Sequence, residues 1–480
     1  AVEHLGELAA LGVTAVEVMP VAQCPGERNW GYDGVQIFAV QHSLGGHDGM
    51  KRFVDAAHRK GIAVVLDVVY NHLGPEGNYL CEYGPYFTDR YKTPWGAALN
   101  FDGKCSDEVR RFFIENALQW VRDFHVDALR LDAVHAILDR SPRPFLEELA
   151  DAVKAEADRL ARRVHLIGES DANDARLVKP RPLGGLGLNG VWSDDFHHAL
   201  HALLTGETRA YYEGFGTLEQ LARAYRDGWT FSGQYAPSRK RRHGSSPSSV
   251  SAERFVVCAQ NHDQVGNRPL GERLIHLAGF ESAKLAAGVL LLAPFTPLIF
   301  MGEEYGEESP FLYFVDHGDA DLVEAVRKGR KAEFAEFFGD AEGKQHSPPD
   351  PQSVETFLQS KLDHGLAARP KHRALLDLHK ELLRIRRKML LGKEDQQVLV
   401  LERPSVLLVL RGEHALVHHF GSDSSGALLP LPAGVWTPVL DTADARFEGP
   451  GSAVPPELVS HGEVSLRLAP RSFVLLHRSG

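Results

Sequence analysis

Strand patterns and helix patterns alternate along residues 1–388, and this alternation limits the folds that the chain can adopt. Eight short apolar stretches are typical of buried strands, and helix patterns separate most of them. The eight stretches are 13–20, 29–40, 62–72, 125–137, 164–170, 190–196, 255–263 and 297–304. Because strands that alternate with helices build a parallel sheet, eight such units predict an α/β fold, a closed (β/α)8 TIM barrel.

The pattern changes after the last predicted helix, residues 371–388. Short strand patterns then alternate with turns, which favours a separate all-β sandwich. We therefore predict three regions: a catalytic barrel of residues 1–73 and 106–392, a short insert after strand three at 74–105, and a C-terminal β-sandwich at 393–480.

The charge of the chain limits its partners. Charged residues make up 24% of the 480 residues, and the formal net charge is −11. A net negative charge argues against nucleic acid or an anionic membrane as a partner. The longest apolar runs, such as 286–292, are too short to cross a bilayer. We therefore expect no nucleic acid and no membrane among the partners, and the sequence leaves the oligomeric state undetermined.

The cysteines and the start of the chain carry two further expectations. Cys24, Cys81, Cys105 and Cys258 are scattered without metal-ligand spacing, which predicts a reduced, cytoplasmic protein. The chain begins at Ala1, without Met and almost directly in a helix pattern, so we expect a preceding segment in the whole protein.

Residues 125–137, HVDALRLDAVHAI, contain two charges in or just past a buried strand. Arg130 and Asp132 are two residues apart, so on a strand their side chains leave from one face. An arginine beside an aspartate keeps the carboxylate ionised and oriented, as a carboxylate nucleophile requires. The alternative is a purely structural ion pair at a strand end.

Polar residues also close the other predicted strands, where the active site of a (β/α)8 barrel lies. These residues are Trp30, Tyr32, Asp33, Asp67, Asn71, His72, Arg130, Asp132, His135, Glu169, Asp194, Asp195, His262 and Asp263. Converging carboxylates with histidines and aromatics indicate glycosidic chemistry. The alternative, a divalent-metal hydrolase, usually has an HxH pair on strand one, and 13–20 has none. We predict no metal and no cofactor.

Four of these strand ends together resemble the α-amylase superfamily of glycoside hydrolases. DVVYNH (67–72), ALRLDAVH (128–135), the glutamate of LIGES (166–170) and QNHDQVGN (260–267) are similar to its four ordered motifs. They follow predicted strands three, four, five and seven, in the order of that superfamily.

The resemblance implies a role for each matching residue. It implies that Asp132 is the nucleophile, Glu169 the acid/base and Asp263 the third carboxylate, which stabilises the transition state. The other residues that we expect to contact the sugar are Tyr32, His72, Trp95, Arg130, His135, Trp192, Asp195 and His262. We expect Asp67 and Asn71 to support the site without contacting the sugar. His135 and Ala136 stand where many amylases have Lys-His, so we expect different contacts on the leaving-group side. The insert lacks evident calcium-binding features.

Further motifs resemble one group within the superfamily, which comprises the glycogen branching enzymes, the isoamylases and the trehalohydrolases. These motifs are WGYDG (30–34), TPWGAALNFDG (93–103), WSDDFHHALH (192–201), NRPLGERL (267–274) and FMGEEYGE (300–307). Within that group, WSDDFHH together with the stretch 316–334 is most similar to the malto-oligosyltrehalose trehalohydrolases. The resemblance implies retaining cleavage of the α-1,4 bond next to a terminal trehalose, with malto-oligosyltrehalose as substrate and trehalose as product. Arg330 and Glu333 share a helix face and are the candidate contacts for the trehalose end, although a solvated face is the simpler interpretation.

Three alternatives remain open at this point. The first is a glucan branching enzyme, which would form α-1,6 links with the same carboxylates. The second is a debranching hydrolase, and the third is a glycan-binding barrel without activity. The last is disfavoured because all three expected carboxylates are present.

Overall fold

A computed structural model describes residues 1–334, 348–389 and 396–479. These residues divide into two compact units. The first unit comprises Ala1–Trp192 and Leu312–Gln359, and the second comprises Ser193–Phe311 and Ser360–Gly480. The division differs from the predicted barrel, insert and sandwich boundaries, which stay a prediction.

The α-helices and β-strands of the described residues follow in chain order. The helices are α1 Leu5–Leu11, α2 Gly46–Arg59, α3 Ser106–Asp123, α4 Phe145–Arg159, α5 Asp194–Thr205, α6 Leu218–Asp227, α7 His262–Gly266, α8 Leu274–Ala278, α9 Phe280–Leu291, α10 Ala320–Glu333, α11 Val354–Gln359 and α12 Pro370–Lys388.

The strands are β1 Ala15–Val18, β2 Ala22–Gln23, β3 Gln36–Val40, β4 Ala63–Val68, β5 Phe87–Thr93, β6 Gly96–Leu99, β7 Ala128–Leu131, β8 His165–Gly168, β9 Gly190–Trp192, β10 Tyr235–Ala236, β11 Arg241–Arg242, β12 Phe255–Cys258, β13 Thr296–Leu298, β14 Gln396–Leu401, β15 Val406–Arg411, β16 His414–His419, β17 Ser425–Leu429, β18 Gly434–Asp441, β19 Leu458–Ser460, β20 Val464–Leu468 and β21 Ser472–Ser479.

Strands β1, β4, β7, β8 and β9 of the first unit form a parallel array in that order. All four residues of β7 are buried, as expected for a strand covered on both faces. The register of β4 and β7 sets Asp67 opposite Arg130, and that of β7 and β8 sets Leu131 opposite Gly168. The chain beyond β4, β7 and β8 therefore leaves the array at one edge, where the candidate residues follow.

The second predicted strand was expected to pair in parallel within the barrel sheet, but it pairs antiparallel with a different strand. Its residues Gln36–Val40 pair antiparallel with Ala22–Gln23, so β1 and β4 are direct neighbours. Gly31 lies between the two strands with a φ of 102°, and a Cβ there would lie 2.0 Å from the Pro20 carbonyl oxygen. The chain can therefore fold back closely onto its own preceding segment.

The second unit contains the parallel pair β12 and β13, the short antiparallel pair β10 and β11, and two antiparallel sheets formed by residues after 395. The larger sheet has the order β14-β15-β16-β21-β18-β19, and the smaller one pairs β17 with β20. Both sheets contribute buried residues to one apolar cluster, including Val417, Leu429, Leu466 and Leu476. The predicted C-terminal all-β region is thus present. No helix within the described ranges is both long and apolar enough to span a bilayer.

Buried histidines of the second unit predict a loss of stability in acid. Burial lowers the pKa of His379 to about 4 and that of His418 to about 3. The unfolded chain takes up these protons near pH 6.5, so stability is full above that pH and falls as the pH drops towards 4. We expect His379→Gln to remove about 2 kcal/mol of the fall between pH 7 and 4.5, measured by urea unfolding. The same replacement at exposed His461 is the control. Parallel pH profiles for the His379 variant and the parent chain would contradict the assignment.

Candidate active site

Arg130 is the centre of a buried charge network in the first unit. The side chain is fully buried, and its Nη1 donates to Asp67 at 2.9 and 2.8 Å and to Asp132 Oδ1 at 2.8 Å. Its guanidinium lies 4.5 Å from the ring centroid of Trp192. Although burial opposes its charge, the carboxylate of Asp67 and its neighbours raise the pKa of Arg130 well above the usual value. Arg130 is therefore a permanent cation that the surrounding carboxylates neutralise.

Asp132 follows directly after β7, and both of its carboxylate oxygens are held. Oδ1 accepts from Arg130, and Oδ2 accepts from Asn71 Nδ2 at 2.7 Å. The same Asn71 amide also donates to the Asp132 carbonyl at 3.1 Å, while the Asp132 amide donates to the Val68 carbonyl. The arginine and amide donors fix the rotamer of this carboxylate from both of its oxygens. Its role as the nucleophile stays a prediction.

Glu169 follows β8 and lies against the turn after Asp132. Its Oε2 accepts from the Ala133 amide at 2.5 Å and lies 3.6 Å from Arg130 Nη2. Ala133 adopts a φ of 38°, and the next amide, of Val134, donates to the Glu169 carbonyl. Backbone contacts thus bring the second carboxyl beside the same arginine that holds the first. A separation of about 5–5.5 Å between the two carboxyls, which retaining enzymes use, stays a prediction.

Tyr32, His72 and Trp95 form an aromatic group next to this network. The Tyr32 hydroxyl donates to Asp67 at 2.6 Å, and His72 stacks on Trp95 with centroids 4.6 Å apart and planes at 5°. His72 is hydrogen-bonded to the Asn71 side chain, and its Nε2 lies 3.0 Å from the Tyr32 carbonyl. Burial lowers the pKa of His72. These predicted sugar contacts are therefore tied to Asp132 through Asn71.

The predicted contacts for the trehalose end lie on α10. The Arg330 guanidinium lies 4.7 Å from the Tyr313 ring centroid and 4.6 Å from that of Phe334, and its Nη1 donates to Glu333 at 3.0 Å. The side chain of Arg330 is 13% exposed and that of Glu333 is 36% exposed. The structure thus brings the two residues together, and their role towards trehalose stays a prediction. His135, in contrast, is exposed, with Nδ1 3.8 Å from Asp171.

The remaining predicted residues belong to the second unit and are described within it. His262 and Asp263 begin the short helix α7, and Asn267 Nδ2 donates to Asp263 Oδ1 at 3.3 Å. Asp195 is buried near the start of α5, where its Oδ2 accepts from the amides of Thr230 and Phe231. The Asp195 carboxylate therefore anchors a loop.

Residues 312–318 contact the loop before β3, a contact that the sequence patterns did not predict. Asp316 accepts from Arg28 at 2.6 Å and from the Glu27 amide at 2.9 Å, and Trp30 Nε1 donates to the Leu312 carbonyl. This loop carries Tyr32, so residues 312–318 support the aromatic group. The acidic stretch after strand eight offered only a weak signal for such a role.

Curated relatives that cover most of the chain show its family. A malto-oligosyltrehalose trehalohydrolase of Saccharolobus solfataricus is 46% identical over 423 residues, which are 88% of this chain and 71% of the relative. One from Arthrobacter ramosus is 43% identical over 95% of this chain and 79% of its own length. This chain belongs to the malto-oligosyltrehalose trehalohydrolase family. The predicted family is confirmed, and with it the prediction of a glycoside hydrolase.

Two further comparisons bear on the fold of this trehalohydrolase family member. A family model described as "Alpha amylase, catalytic domain" matches residues 1–94. A Salmonella typhimurium crystal structure assigned to the alpha amylases is 38% identical, with a TM-score of 0.86 over 99% of this chain and 78% of that chain. The predicted class, a (β/α)8 barrel with a C-terminal all-β domain, is confirmed. A glucan branching enzyme of Geobacillus stearothermophilus is less similar, 30% identical over 62% of this chain.

The Arg130 network leads to a prediction that separates catalysis from stability. We expect Arg130→Lys to lower the unfolding free energy and to lose at least about 100-fold in kcat, because a lysine ammonium cannot reproduce the guanidinium that contacts Asp67 and Asp132 through Nη1 and places Nη2 3.6 Å from Glu169. Arg110 is the matched control, a buried arginine of the same unit that pairs with Asp139 at 2.9 Å and Glu148 at 2.7 Å. Arg110→Lys should lose stability without the loss of kcat. Equal kcat values for the two folded variants would contradict the role of Arg130.

Proposed function

We propose that this chain hydrolyses the α-1,4-glucosidic bond next to the terminal trehalose of malto-oligosyltrehalose and releases trehalose. The observation that carries the proposal is the placement of Asp132 and Glu169 around one buried arginine, in a chain of the trehalohydrolase family. Glycoside hydrolysis requires this chemistry, with one carboxylate to attack and one carboxyl to donate a proton.

In the first step Asp132 attacks the anomeric carbon of the glucose before the trehalose unit. The bond to the leaving oxygen breaks, and Glu169 gives its proton to that oxygen, so trehalose departs. In the second step Glu169 takes a proton from water, whose oxygen attacks the same carbon and releases Asp132. Two displacements leave the configuration retained. Asn71 and Arg130 hold the Asp132 carboxylate in its attacking orientation.

The other site residues take roles that the family resemblance supports. Asp263 stabilises the positive charge that develops on the sugar ring, and Asp67 and Asn71 support the Arg130 network. The residues proposed to contact the sugar are Tyr32, His72, Trp95, Arg130, His135, Trp192, Asp195, His262, Arg330 and Glu333. We place the reaction in the cytoplasm, where the four cysteines, none of them in a disulfide within the described residues, stay reduced.

The experiment that tests the proposal is a product analysis on two substrates at equal concentration. Maltotriosyl-trehalose should release free trehalose, while maltopentaose should remain nearly untouched. Equal cleavage of both would overturn the specificity for trehalose. New α-1,6 branch points formed from longer glucans, without new reducing ends, would show a branching transferase instead.

A further inference from the structure

The segment 260–267 of the second unit follows β12 and carries His262 and Asp263. Side chains from one largely buried group contact the chain immediately before and after this segment. We call this group the α5 cluster, because α5 supplies its two histidines. Its members are His197, His201, Glu207, Tyr212 and Arg268.

At the start of the segment, His197 fixes the end of β12. This side chain is 1% exposed, and its Nδ1 lies 2.8 Å from the Ala259 carbonyl oxygen. Burial lowers the pKa of His197 well below its usual value, so the ring is neutral. A neutral imidazole has one N–H, and the carbonyl contact assigns it to Nδ1. Nε2 then accepts from the Tyr212 hydroxyl at 3.4 Å.

At the end of the segment, Arg268 makes a two-pronged ion pair with Glu207. The distances are 2.8 Å from Nη1 to Oε2 and 2.9 Å from Nη2 to Oε1. His201 Nε2 also bonds Glu207 at 2.7 Å, and its ring stacks on Tyr212 with centroids 4.3 Å apart. The hydrogen bond from His201, with the contribution of Arg268, lowers the pKa of Glu207 to about 2. The pair therefore stays ionised at any pH at which an enzyme of this kind works.

Inside the segment, the residue next to Arg268 contacts the carboxylate of Asp263 at 3.3 Å. Asn267 precedes Arg268 directly, and its Nδ2 donates to Asp263 Oδ1. The Asn261 side chain accepts from the Gln264 amide at 2.7 Å, which caps α7. A displacement of residue 268 therefore moves the group that orients Asp263.

We propose that Glu207 and Arg268 are positioning residues that act on the reaction through Asp263, while His197 fixes the other end of the segment. The inference rests on the role proposed for Asp263. Pairing the buried Arg268 with the half-buried Glu207 adds little net stability, because desolvation offsets much of their attraction. A rigid two-pronged pair instead sets the geometry of the backbone that it joins, here beside a transition-state carboxylate.

Arg268→Lys keeps the charge and removes the two-pronged geometry. We expect kcat for trehalose release to fall 10- to 100-fold with KM changed less than twofold, assayed well below the melting temperature. Glu207→Gln is the second variant, because glutamine has nearly the same size and its amide oxygen can still accept from Arg268, although the ion pair is lost; a thermal unfolding curve confirms that the variant is folded at the assay temperature. It should show the same split between kcat and KM. The matched control is Arg384→Lys, which breaks an exposed two-pronged pair with Glu381 on α12 and should leave both constants unchanged.

Asp263→Asn, measured in parallel, separates the catalytic role proposed for Asp263 from the positioning role proposed for Glu207 and Arg268. Full turnover by Asp263→Asn would overturn the role of Asp263 and the positioning proposal with it. An inactive Asp263→Asn, together with unchanged kcat in folded Arg268→Lys and Glu207→Gln, would overturn the positioning proposal alone. A rise in KM at constant kcat in these two variants would also overturn it.

Discussion

Asp132→Asn should lower kcat for trehalose release by at least about 10³-fold, because an amide does not attack the anomeric carbon. The asparagine still accepts from Arg130 and is close to aspartate in size, so the fold should persist. Arg130 also keeps Asp67 as a partner, at 2.8 and 2.9 Å. Steady-state kinetics and thermal unfolding of the purified variant measure the two effects separately.

The matched control for this prediction is Asp139→Asn. Asp139 is a buried aspartate of the same unit that pairs with Arg110 and accepts from the Phe145 amide. Its replacement should lower stability and leave kcat within a few-fold of the parent chain. If Asp132→Asn keeps more than a few per cent of the parent activity, Asp132 is not the nucleophile.

Glu169→Gln should abolish trehalose release and yet retain the first chemical step on a substrate that needs no acid. In a malto-oligosyl fluoride the leaving fluoride departs without a proton, so Asp132 can still form the glycosyl-enzyme. The water step then stalls, because glutamine cannot act as a base. Azide, which needs no base, should attack the intermediate and give the glycosyl azide of retained configuration.

Mass spectrometry detects the glycosyl-enzyme, and NMR of the products detects the glycosyl azide. If the variant turns over neither malto-oligosyltrehalose nor the malto-oligosyl fluoride, and azide does not restore turnover of the fluoride, Glu169 is not the acid/base. Glu148→Gln serves as the control. Glu148 pairs with Arg110 at 2.7 Å and lies outside the Arg130 network, in which Arg130 pairs with Asp67, Asp132 and Glu169. This control should leave both reactions unchanged.

Local sequence patterns were sufficient to predict those site residues that directly follow the parallel strands. Arg130 and Asp132 interrupt an apolar strand, which is a signal confined to a few residues. The structure places Asp67, Asn71 and Glu169 around them, as strand-end positions predict. The alternation of strands and helices likewise predicted the parallel array and the C-terminal sheets.

Contacts between distant parts of the chain left no such signal. Glu27 and Asp316 are 289 residues apart, and only the folded path brings them together. The antiparallel pairing of β3 with β2 depends on how the chain folds back at Gly31, which strand periodicity does not report. The α5 cluster likewise left no signal in the sequence, because the spacing of its two histidines along α5 is also typical of ordinary core residues on a helix.

The register that sets Asp67 opposite Arg130 also has a consequence for folding fidelity. If β7 slipped by one residue along β4, the two side chains would face opposite sides of the array. Each would then be a charge buried without its partner, which costs several kcal/mol. The ion pair therefore discriminates against misaligned sheets, and the same residues that serve chemistry in the native state select the correct alignment while it forms.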